Sequence, residues 1–405
     1  MKKKLSFLWL LAVPALSTVA IASSCNEQKE QKETKGFTKT AVNATSPRVA
    51  LTDPENPRWV KAQTEFLNNF DSLSQGAAAT LAKTQQEQNT WIDTAISGGT
   101  SGLIIGSING ESLAKQLRDA KNKKIPVIAY DRLISGTTDY DWYLTYDNWK
   151  VGTLQGLTLA TSLLGKTGER FKTKEEALDY LKANPIKEDK IIILMGGASS
   201  DNNSQLFYGG AMEVLKPLID ETKEKEHKIM IKGRETKEQV LQNDWSYDEG
   251  RTRVQTTLTA LSESEKSQVR GVLAPNDGMA QAAVTALKTT NIDTTKVFIT
   301  GQDFNDFIVP LIKEDSVNMT IFKPDKELSY ASIVLLNILI EENKNNANSS
   351  AEDIFKKVET KFKEKFPEKG MILDKQQYEK STGVKVNTIL LEPTIVTKDN
   401  IDTFK

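Results

Sequence analysis

The chain has 405 residues, which is enough for two domains that each bury an apolar core. It carries 53 lysine and arginine residues against 54 aspartate and glutamate residues, for a formal net charge of −1. No basic stripe or arginine-rich helix interrupts this balance, and nucleic-acid binding depends on clustered basic side chains. We therefore expect no nucleic-acid partner.

The first 24 residues have the pattern of a secretory signal peptide. Three lysines at positions 2–4 precede an apolar run over 5–22, and two serines then lead to Cys25. Small residues before a cysteine resemble the cleavage site of bacterial lipoproteins, although Ala22 replaces the usual leucine. An uncleaved membrane anchor is the weaker interpretation, since the run is short and contains Pro14.

Cys25 is the only cysteine of the chain, so it has no partner for an internal disulfide. We interpret it as the lipidated first residue of a mature protein on the outer face of the cell membrane. Residues 26–46 are polar and nearly free of large apolar side chains. The sequence thus predicts a lipidated cysteine and flexible tether over 25–46.

After the tether, short apolar runs of strand length alternate with longer amphipathic segments of helix length. The predicted strands are 49–52, 102–105, 126–130, 142–145, 191–195, 228–231, 271–274, 297–300 and 319–322. This alternation predicts an α/β fold with parallel sheets. Two segments rich in lysine and glutamate, 166–190 and 342–380, interrupt it, and we interpret them as surface elaborations.

Several predicted strands are followed by side chains that form hydrogen bonds, and open parallel sheets bind ligands at that end of their strands. The candidates are Arg58, Trp59, Asp131, Arg132, Asn203, Asn276, Asp303 and Lys323, together with Trp245, which has polar neighbours. Carboxylates accept from sugar hydroxyls, cationic and amide groups donate to sugar oxygens, and indole rings cover the flat sugar faces. Taken singly, each residue also has an ordinary interpretation as a helix cap, a turn former or a packing residue.

Segments that carry these residues resemble the type I periplasmic sugar-binding proteins, and among them the D-xylose-binding proteins. The segments begin at the position given: PRWVKAQ (57), IPVIAYDRLI (125), YDNWKVGTLQG (146), ILMGGASSDNNSQLF (193), VLAPNDGMAQAAVTAL (272), FITGQD (298) and MTIFKPDKEL (319). They occur in family order and the similarity runs from about 48 to 341, with a weaker match over 390–402.

The resemblance implies two Rossmann-like lobes with parallel sheets, joined by a hinge of three crossing segments. The lobes would comprise 47–146 plus 324–389 and 147–323 plus 390–405. Asp131 and Asp303 would accept from sugar hydroxyls. The implied donors are Arg58, Arg132, Asn203, Asn276 and Lys323. Trp245 would stack on the sugar and Trp59 would give a second stacking face.

The same resemblance implies a monomer with no cofactor and no metal. It would bind xylose or a similar monosaccharide and deliver it to the permease subunits of an ABC importer. Its membrane contact would be the lipid anchor.

Other functions fit the residues less well. A glycosidase needs one protonated carboxyl group, and the polar neighbours of Asp131 and Asp303 favour ionised acceptors. The single histidine, His227, lies in a charged run, which disfavours a metal site. The segment 164–167 resembles part of a phosphate-binding loop, but Ala160 replaces its first glycine.

Of three further classes of protein, the sequence disfavours one and leaves two open. A transcriptional regulator of the same fold would begin with a helix-turn-helix, where this chain has a signal and tether. A surface adhesin stays open because the two charged segments are exposed in our interpretation. A nucleoside-binding lipoprotein of the same fold also stays open, although it would need aromatic rings on both faces of a base.

Overall fold

The computed structural model describes residues 43, 45–52, 56–74, 76–381 and 383–404, and the side chains of 71–73 are excepted. The predicted signal peptide, Cys25 and most of the predicted tether lie outside these residues. In the described ranges, no helix combines the length and the apolar character that crossing a membrane would take.

The first part of the described chain alternates strands and helices, as the sequence predicts. Its elements are β1 (Arg48–Leu51), α1 (Pro57–Leu73), β2 (Ala78–Leu81), α2 (Gln85–Ser97), β3 (Leu103–Ile105), α3 (Ala114–Asn122), β4 (Val127–Tyr130), β5 (Trp142–Tyr146), α4 (Asn148–Leu163), α5 (Lys174–Ala183), β6 (Lys190–Leu194), α6 (Asn202–Thr222) and β7 (Ile229–Ile231). Strand β2 was not predicted, because its four residues are small or only half-buried.

The second part continues the alternation and then adds antiparallel strands. Its elements are α7 (Lys237–Val240), α8 (Tyr247–Ala260), α9 (Glu263–Lys266), β8 (Val269–Leu273), α10 (Asp277–Thr289), β9 (Phe298–Ile299), α11 (Ile308–Lys313), β10 (Met319–Phe322), α12 (Asp325–Lys344), α13 (Ala351–Lys365), β11 (Met371–Asp374), β12 (Glu379–Ser381), β13 (Val384–Lys385), β14 (Asn387–Leu391) and β15 (Thr394–Thr397). Single 3₁₀ turns occur at Thr294–Lys296 and Ile401–Phe404.

The larger lobe is built on a sheet with the strand order β11-β14-β5-β4-β3-β1-β2. All neighbours are parallel except β11, which pairs antiparallel with β14. Alternate residues of β1 face opposite cores: Val49 and Leu51 pack on one side, whereas Ala50 packs on the other. Burial on both faces explains the nearly continuous apolar runs that predicted these strands.

The smaller lobe has a parallel sheet with the order β7-β6-β8-β9. The antiparallel pair β10 and β15 lies beside it, because the backbone N–H of Asn318 donates to the carbonyl of Ile299 at 3.1 Å. The chain passes between the two lobes after β5, between β10 and α12, and between β14 and β15. The α/β architecture with parallel sheets is therefore confirmed.

The two charged segments are more than surface elaborations, which corrects the sequence interpretation. In the first, Ala177 and Leu181 of α5 pack into the core of the smaller lobe. In the second, the apolar face of α13 packs into the larger lobe and β11 extends its sheet. The lysine and glutamate residues between the apolar positions obscured these stripes, which in α13 include Ile354, Val358 and Phe362.

Candidate functional site

A cavity between the two lobes lies at the carboxyl ends of their strands and leaves about 350 Å³ of space, part of it open to solvent. Its lining includes all nine residues predicted as ligand contacts: Arg58, Trp59, Asp131, Arg132, Asn203, Trp245, Asn276, Asp303 and Lys323. It also includes four residues that were not predicted: Asn56, Asp201, Phe207 and Gln302. A cavity lined by a few convergent polar groups is typical of a small-molecule site.

Asp131 is the central anion of the cavity. It follows β4 directly with φ = 59°, a left-handed backbone that is uncommon outside glycine. Its Oδ2 lies 2.7 Å from Nη2 of Arg58 and 4.0 Å from Nζ of Lys323. Burial alone would raise its pKa, but the cations Arg58, Lys323 and Arg132 outweigh burial and lower the pKa to about 2. Asp131 is therefore an ionised acceptor.

Arg58 is fixed at the start of α1. Asn56 caps this helix by accepting from the backbone N–H of Arg58 at 3.1 Å, and Pro57 occupies the first turn. The guanidinium lies over the ring of Trp59, 4.8 Å from its centroid. Its Nη2 also lies 3.2 Å from Oδ1 of Asp325, while no described group accepts from its buried Nε. Arg58 thus retains one donor with no protein partner among the described residues.

Trp59 is a buried residue of the cavity lining, and its role as a second stacking face stays a prediction. Arg58 and Arg132 both lie against its ring, the second at 5.3 Å from the centroid. The α-carbon of Gly106 approaches the ring so closely that a Cβ atom there would lie 3.1 Å from it. Trp59 therefore supports two cations of the cavity through cation–π contacts.

Asn203 connects the two lobes below the cavity. It lies in the first turn of α6, whose cap is Asp201. Its Nδ2 donates to the backbone carbonyl of Asp131 at 3.0 Å, and its Oδ1 accepts from Nδ2 of Asn148 at 2.8 Å. Because these bonds use the amide, Asn203 fixes the backbone at Asp131.

Trp245 forms a partly exposed wall of the cavity on the smaller lobe. Its Nε1 donates to Oδ2 of Asp201 at 3.2 Å. The ring lies against Gly197, the second glycine of the pair after β6. Unlike Trp59, Trp245 has a ring held in place by one hydrogen bond at its edge, which suits a stacking surface.

Asn276 and Gln302 have amides whose orientation is set by the backbone. Oδ1 of Asn276 accepts from the N–H of Met279 and caps α10, so its Nδ2 is left for other partners and lies 3.5 Å from the hydroxyl of Tyr247. Nε2 of Gln302 donates to the carbonyl of Pro275 at 3.2 Å, and its buried Oε1 has no partner among the described residues. The wall therefore presents an amide donor and an unused acceptor.

Asp303 is held in the cavity by a strained loop. Its φ is 101° and that of Phe304 is 53°. Asp277, buried beneath, accepts from the N–H of Asn305 at 2.8 Å and from the hydroxyl of Thr320 at 2.7 Å, which fixes the loop. Burial raises the pKa of Asp303 against the opposing effects of Lys323 and Arg58. The pKa of Asp303 therefore shifts in the opposite direction from that of Asp131, because burial has the larger effect on Asp303.

Lys323 and Phe207 complete the lining. The ammonium of Lys323 lies 5.4 Å from the ring centroid of Phe207 and is almost completely buried. Burial lowers the pKa of Lys323, while Asp131 opposes that shift. The site thus concentrates cations, carboxylates, amides and aromatic faces in one small space, the combination required to bind a neutral polyhydroxyl compound.

The four unpredicted residues had signals in the sequence. Asn56 precedes a proline at a helix start, and Asp201 opens the run Asp-Asn-Asn, so both were visible as caps. Phe207 lies one helical turn after Asn203 on the same face. Gln302 is part of the predicted Gly-Gln-Asp sequence, but its orientation depends on a contact with Pro275 that no local pattern specifies.

Comparisons with known proteins agree with this architecture. The family model described as "Periplasmic binding protein domain" matches residues 51–344. A 46 kDa surface antigen of Mesomycoplasma hyopneumoniae is 40% identical over 94% of this chain and 91% of its own length. The D-xylose-binding periplasmic protein of Escherichia coli is 30% identical over 71% of this chain and 76% of its own length.

Among solved structures, an ABC transporter solute-binding protein from Clostridium phytofermentans with bound β-D-glucose has a TM-score of 0.68 and 25% identity. It covers 88% of this chain and 95% of its own. These matches confirm the type I periplasmic-binding-protein fold and a binding protein rather than an enzyme. This chain belongs to the periplasmic binding protein domain family.

Proposed function

We propose that this chain is an extracytoplasmic solute-binding lipoprotein that binds a monosaccharide, xylose or a similar aldose, between its two lobes. It delivers this sugar to the permease subunits of an ABC importer. The protein acts as a monomer, and its lobes comprise 47–146 plus 324–389 and 147–323 plus 390–405. Cys25 carries the lipid that holds it at the outer face of the membrane.

The observation that carries the proposal is the combination of groups around one cavity. The acceptor Asp131 lies with the buried cations Arg58 and Lys323 on one side, and Trp245 and Asn276 face them from the other. A sugar hydroxyl both donates and accepts, so it needs such paired partners, and a pyranose face needs an aromatic wall. The D-xylose-binding relative and the glucose-bound structure support a sugar as the ligand class.

Contacts between the lobes support closure around the ligand. Nδ2 of Asn56 donates to Oδ2 of Asp303 at 3.4 Å, and Nδ2 of Asn203 donates to the carbonyl of Asp131 at 3.0 Å. A ligand that touches both lobes only when they are close has a higher affinity for that form and shifts the hinge equilibrium toward it. An importer that recognises the closed form would select loaded protein.

The name of the surface antigen is compatible with this location, since a lipoprotein at the outer face is exposed. That name also leaves a surface adhesin as the second candidate function. The test is a thermal-shift screen of the purified protein with xylose, ribose, allose, galactose, glucose and nucleosides.

A monosaccharide at about 100 times its Kd should stabilise the fold by about 2.7 kcal/mol. A shift with nucleosides alone would replace the sugar by a nucleoside. A flat response to every compound, with no saturable binding by calorimetry, would favour the adhesin.

A further inference from the structure

Asp201 occupies a position between the two lobes that its role as a helix cap does not explain. Its Oδ1 accepts from the backbone N–H of Asn203 at 3.0 Å, which is the cap of α6. Its Oδ2 faces the other way and lies 3.1 Å from Nε of Arg132. The same Oδ2 accepts from Nε1 of Trp245 at 3.2 Å. One oxygen therefore joins an arginine of the larger lobe to a tryptophan of the smaller lobe.

This ion pair is shielded from water. The side chains of Arg132 and Asp201 are only 11% and 4% exposed. An ion pair in such a setting is screened less than one at the surface, and an unpaired charge left there is costly. By contrast, the pair of Lys61 and Asp306 also spans the lobes, but its side chains are 45% and 92% exposed. Such an exposed pair contributes little.

The contact also lies where a ligand would leave. Arg132 and Trp245 line the cavity, and both also line a wider groove beside it, whose other lining includes Asn109 of the larger lobe and Asn243 of the smaller lobe. The two side chains that Asp201 holds are thus shared by the cavity and by its open neighbour. When the lobes separate, Arg132 moves away from Asp201 and this shared wall opens.

We propose that Asp201 is a positioning residue that latches the closed lobes by holding Arg132 and Trp245 together across the cavity mouth. The latch rests on the proposed function, because its purpose is to retain a ligand between the lobes. It acts through Arg132 and Trp245. Its contribution therefore falls mainly on the rate of opening, which sets ligand dissociation. Because the latch also holds part of the ligand-free protein closed, its loss speeds association by at most about twofold.

Two substitutions remove the latch while keeping the cap. In Asp201→Asn, the amide oxygen still accepts from Asn203, so the NH₂ group takes the place of Oδ2 and faces the donors of Arg132 and Trp245. In Asp201→Ser, the hydroxyl caps the helix and no second acceptor remains. Asp306→Asn is the matched control, because it removes the exposed pair between the same lobes.

The test measures sugar association and dissociation by stopped-flow tryptophan fluorescence, with the best monosaccharide of the thermal-shift screen. We expect the dissociation rate of both Asp201 variants to rise about 10- to 100-fold, with association within about twofold of wild type. The control should keep both rates. A dissociation rate near wild type in both Asp201 variants, or an equal rise in Asp306→Asn, would overturn the latch. Because Asp201 also lines the cavity, faster dissociation with unchanged scattering of the ligand-free protein would mean a direct sugar contact and would overturn it too.

Solution scattering of the ligand-free protein gives a second measurement that needs no sugar. We expect a larger radius of gyration for both Asp201 variants than for wild type and Asp306→Asn, since the latch biases the lobes toward the closed form. Identical scattering of all four proteins would contradict the latch. If wild type bound no monosaccharide, the proposed function would fail, and the scattering would still decide the latch.

Discussion

The α-carbon of Gly197 lies directly against the indole ring of Trp245: a Cβ atom at this position would lie 2.2 Å from Cη2 of the ring and 2.5 Å from Oγ of Ser204. The second glycine after β6 thus makes room for the aromatic wall of the cavity. We expect Gly197→Ala to displace the ring and to weaken sugar binding at least about tenfold, since the added methyl group would overlap the ring. Calorimetry measures the change. Gly370→Ala, whose added methyl group meets nothing within 4 Å, is the control and should leave the affinity intact.

Asp303 and Trp245 should carry much of the affinity. Removing a charged hydrogen-bond partner in a closed cleft costs about 1.5–3 kcal/mol, and losing a stacking ring costs about 0.5–1.5 kcal/mol beyond its lost area. Calorimetry on Asp303→Ala and Trp245→Ala tests this, with Asp306→Ala as the control on the same loop. Affinities near wild type for both site variants would mean that the sugar binds elsewhere.

Asp131 and Asp325 both pair with Arg58, and their pKa values should be shifted in opposite directions. Burial raises the pKa of Asp325 to about 6 despite Arg58, whereas the cations around Asp131 overcome burial and lower its pKa to about 2. A carboxyl group whose folded pKa exceeds its unfolded value of about 4 binds its proton more tightly in the folded protein. Asp325 therefore reduces stability as pH rises from about 4 to about 6, whereas the stabilisation from Asp131 is lost as pH falls from about 4 to about 2.

Asp325→Asn removes the first of these effects. We expect the Tm of this variant, relative to wild type, to increase as pH rises from 4 to 7, by the equivalent of about 3 kcal/mol for a shift of two pKa units. Thermal unfolding of the ligand-free protein at several pH values measures it, with Asp306→Asn as the comparison. A difference that stays constant with pH, or that shrinks, would contradict the assignment.

The helix α13 should behave as part of the core of the larger lobe. Phe362 is fully buried, with its ring centroid 5.0 Å from that of Phe366. Phe362→Ala should lower the free energy of unfolding by about 3–5 kcal/mol. Lys363→Ala, at an exposed neighbour, should change it by less than about 0.5 kcal/mol. Urea denaturation measures both changes in the free energy of unfolding. If Phe362→Ala had as small an effect as Lys363→Ala, α13 would be a surface element and not part of the core.

Cys25 lies outside the described residues, and its lipidation is tested in cells. Cys25→Ser should release the protein from membranes, because two acyl chains give stable anchoring where the tether alone gives none. Fractionation and the size of the processed chain measure this. A Cys25→Ser protein that still sedimented with membranes at its processed size would rule out the lipid anchor.

The sequence predicted most strands that are buried on both faces and the residues that follow them, but it missed β14. Val127–Tyr130 is an apolar run that leads directly into Asp131, so strand and site residue were visible together. Strand β2 was missed because Ala78–Leu81 is half-buried at a sheet edge. Strand β11 was missed because it pairs only with the distant β14.

The remaining site residues depend on contacts between distant segments. Asp325 reaches Arg58 and the hydroxyl of Tyr130, the latter at 3.1 Å, only after α12 packs against α1. Trp59 was proposed to stack on a sugar because polar residues flank it, whereas the contacts of its ring with Arg58 and Arg132 were not visible in the sequence. A residue's neighbours in space, which decide such roles, are absent from local patterns.

The insertion of β14 between β5 and β11 constrains how the protein folds. Asn387 pairs with Trp142, so the sheet of the larger lobe closes only when nearly the whole chain is available. The sheet of the smaller lobe, from Lys190 to Ile299, uses one continuous stretch of chain. During vectorial synthesis or export, the sheet of the smaller lobe can therefore form first, while the first strands of the larger lobe lack their last partner and keep an open edge. We expect the larger lobe to be the part of the molecule that depends on chaperones.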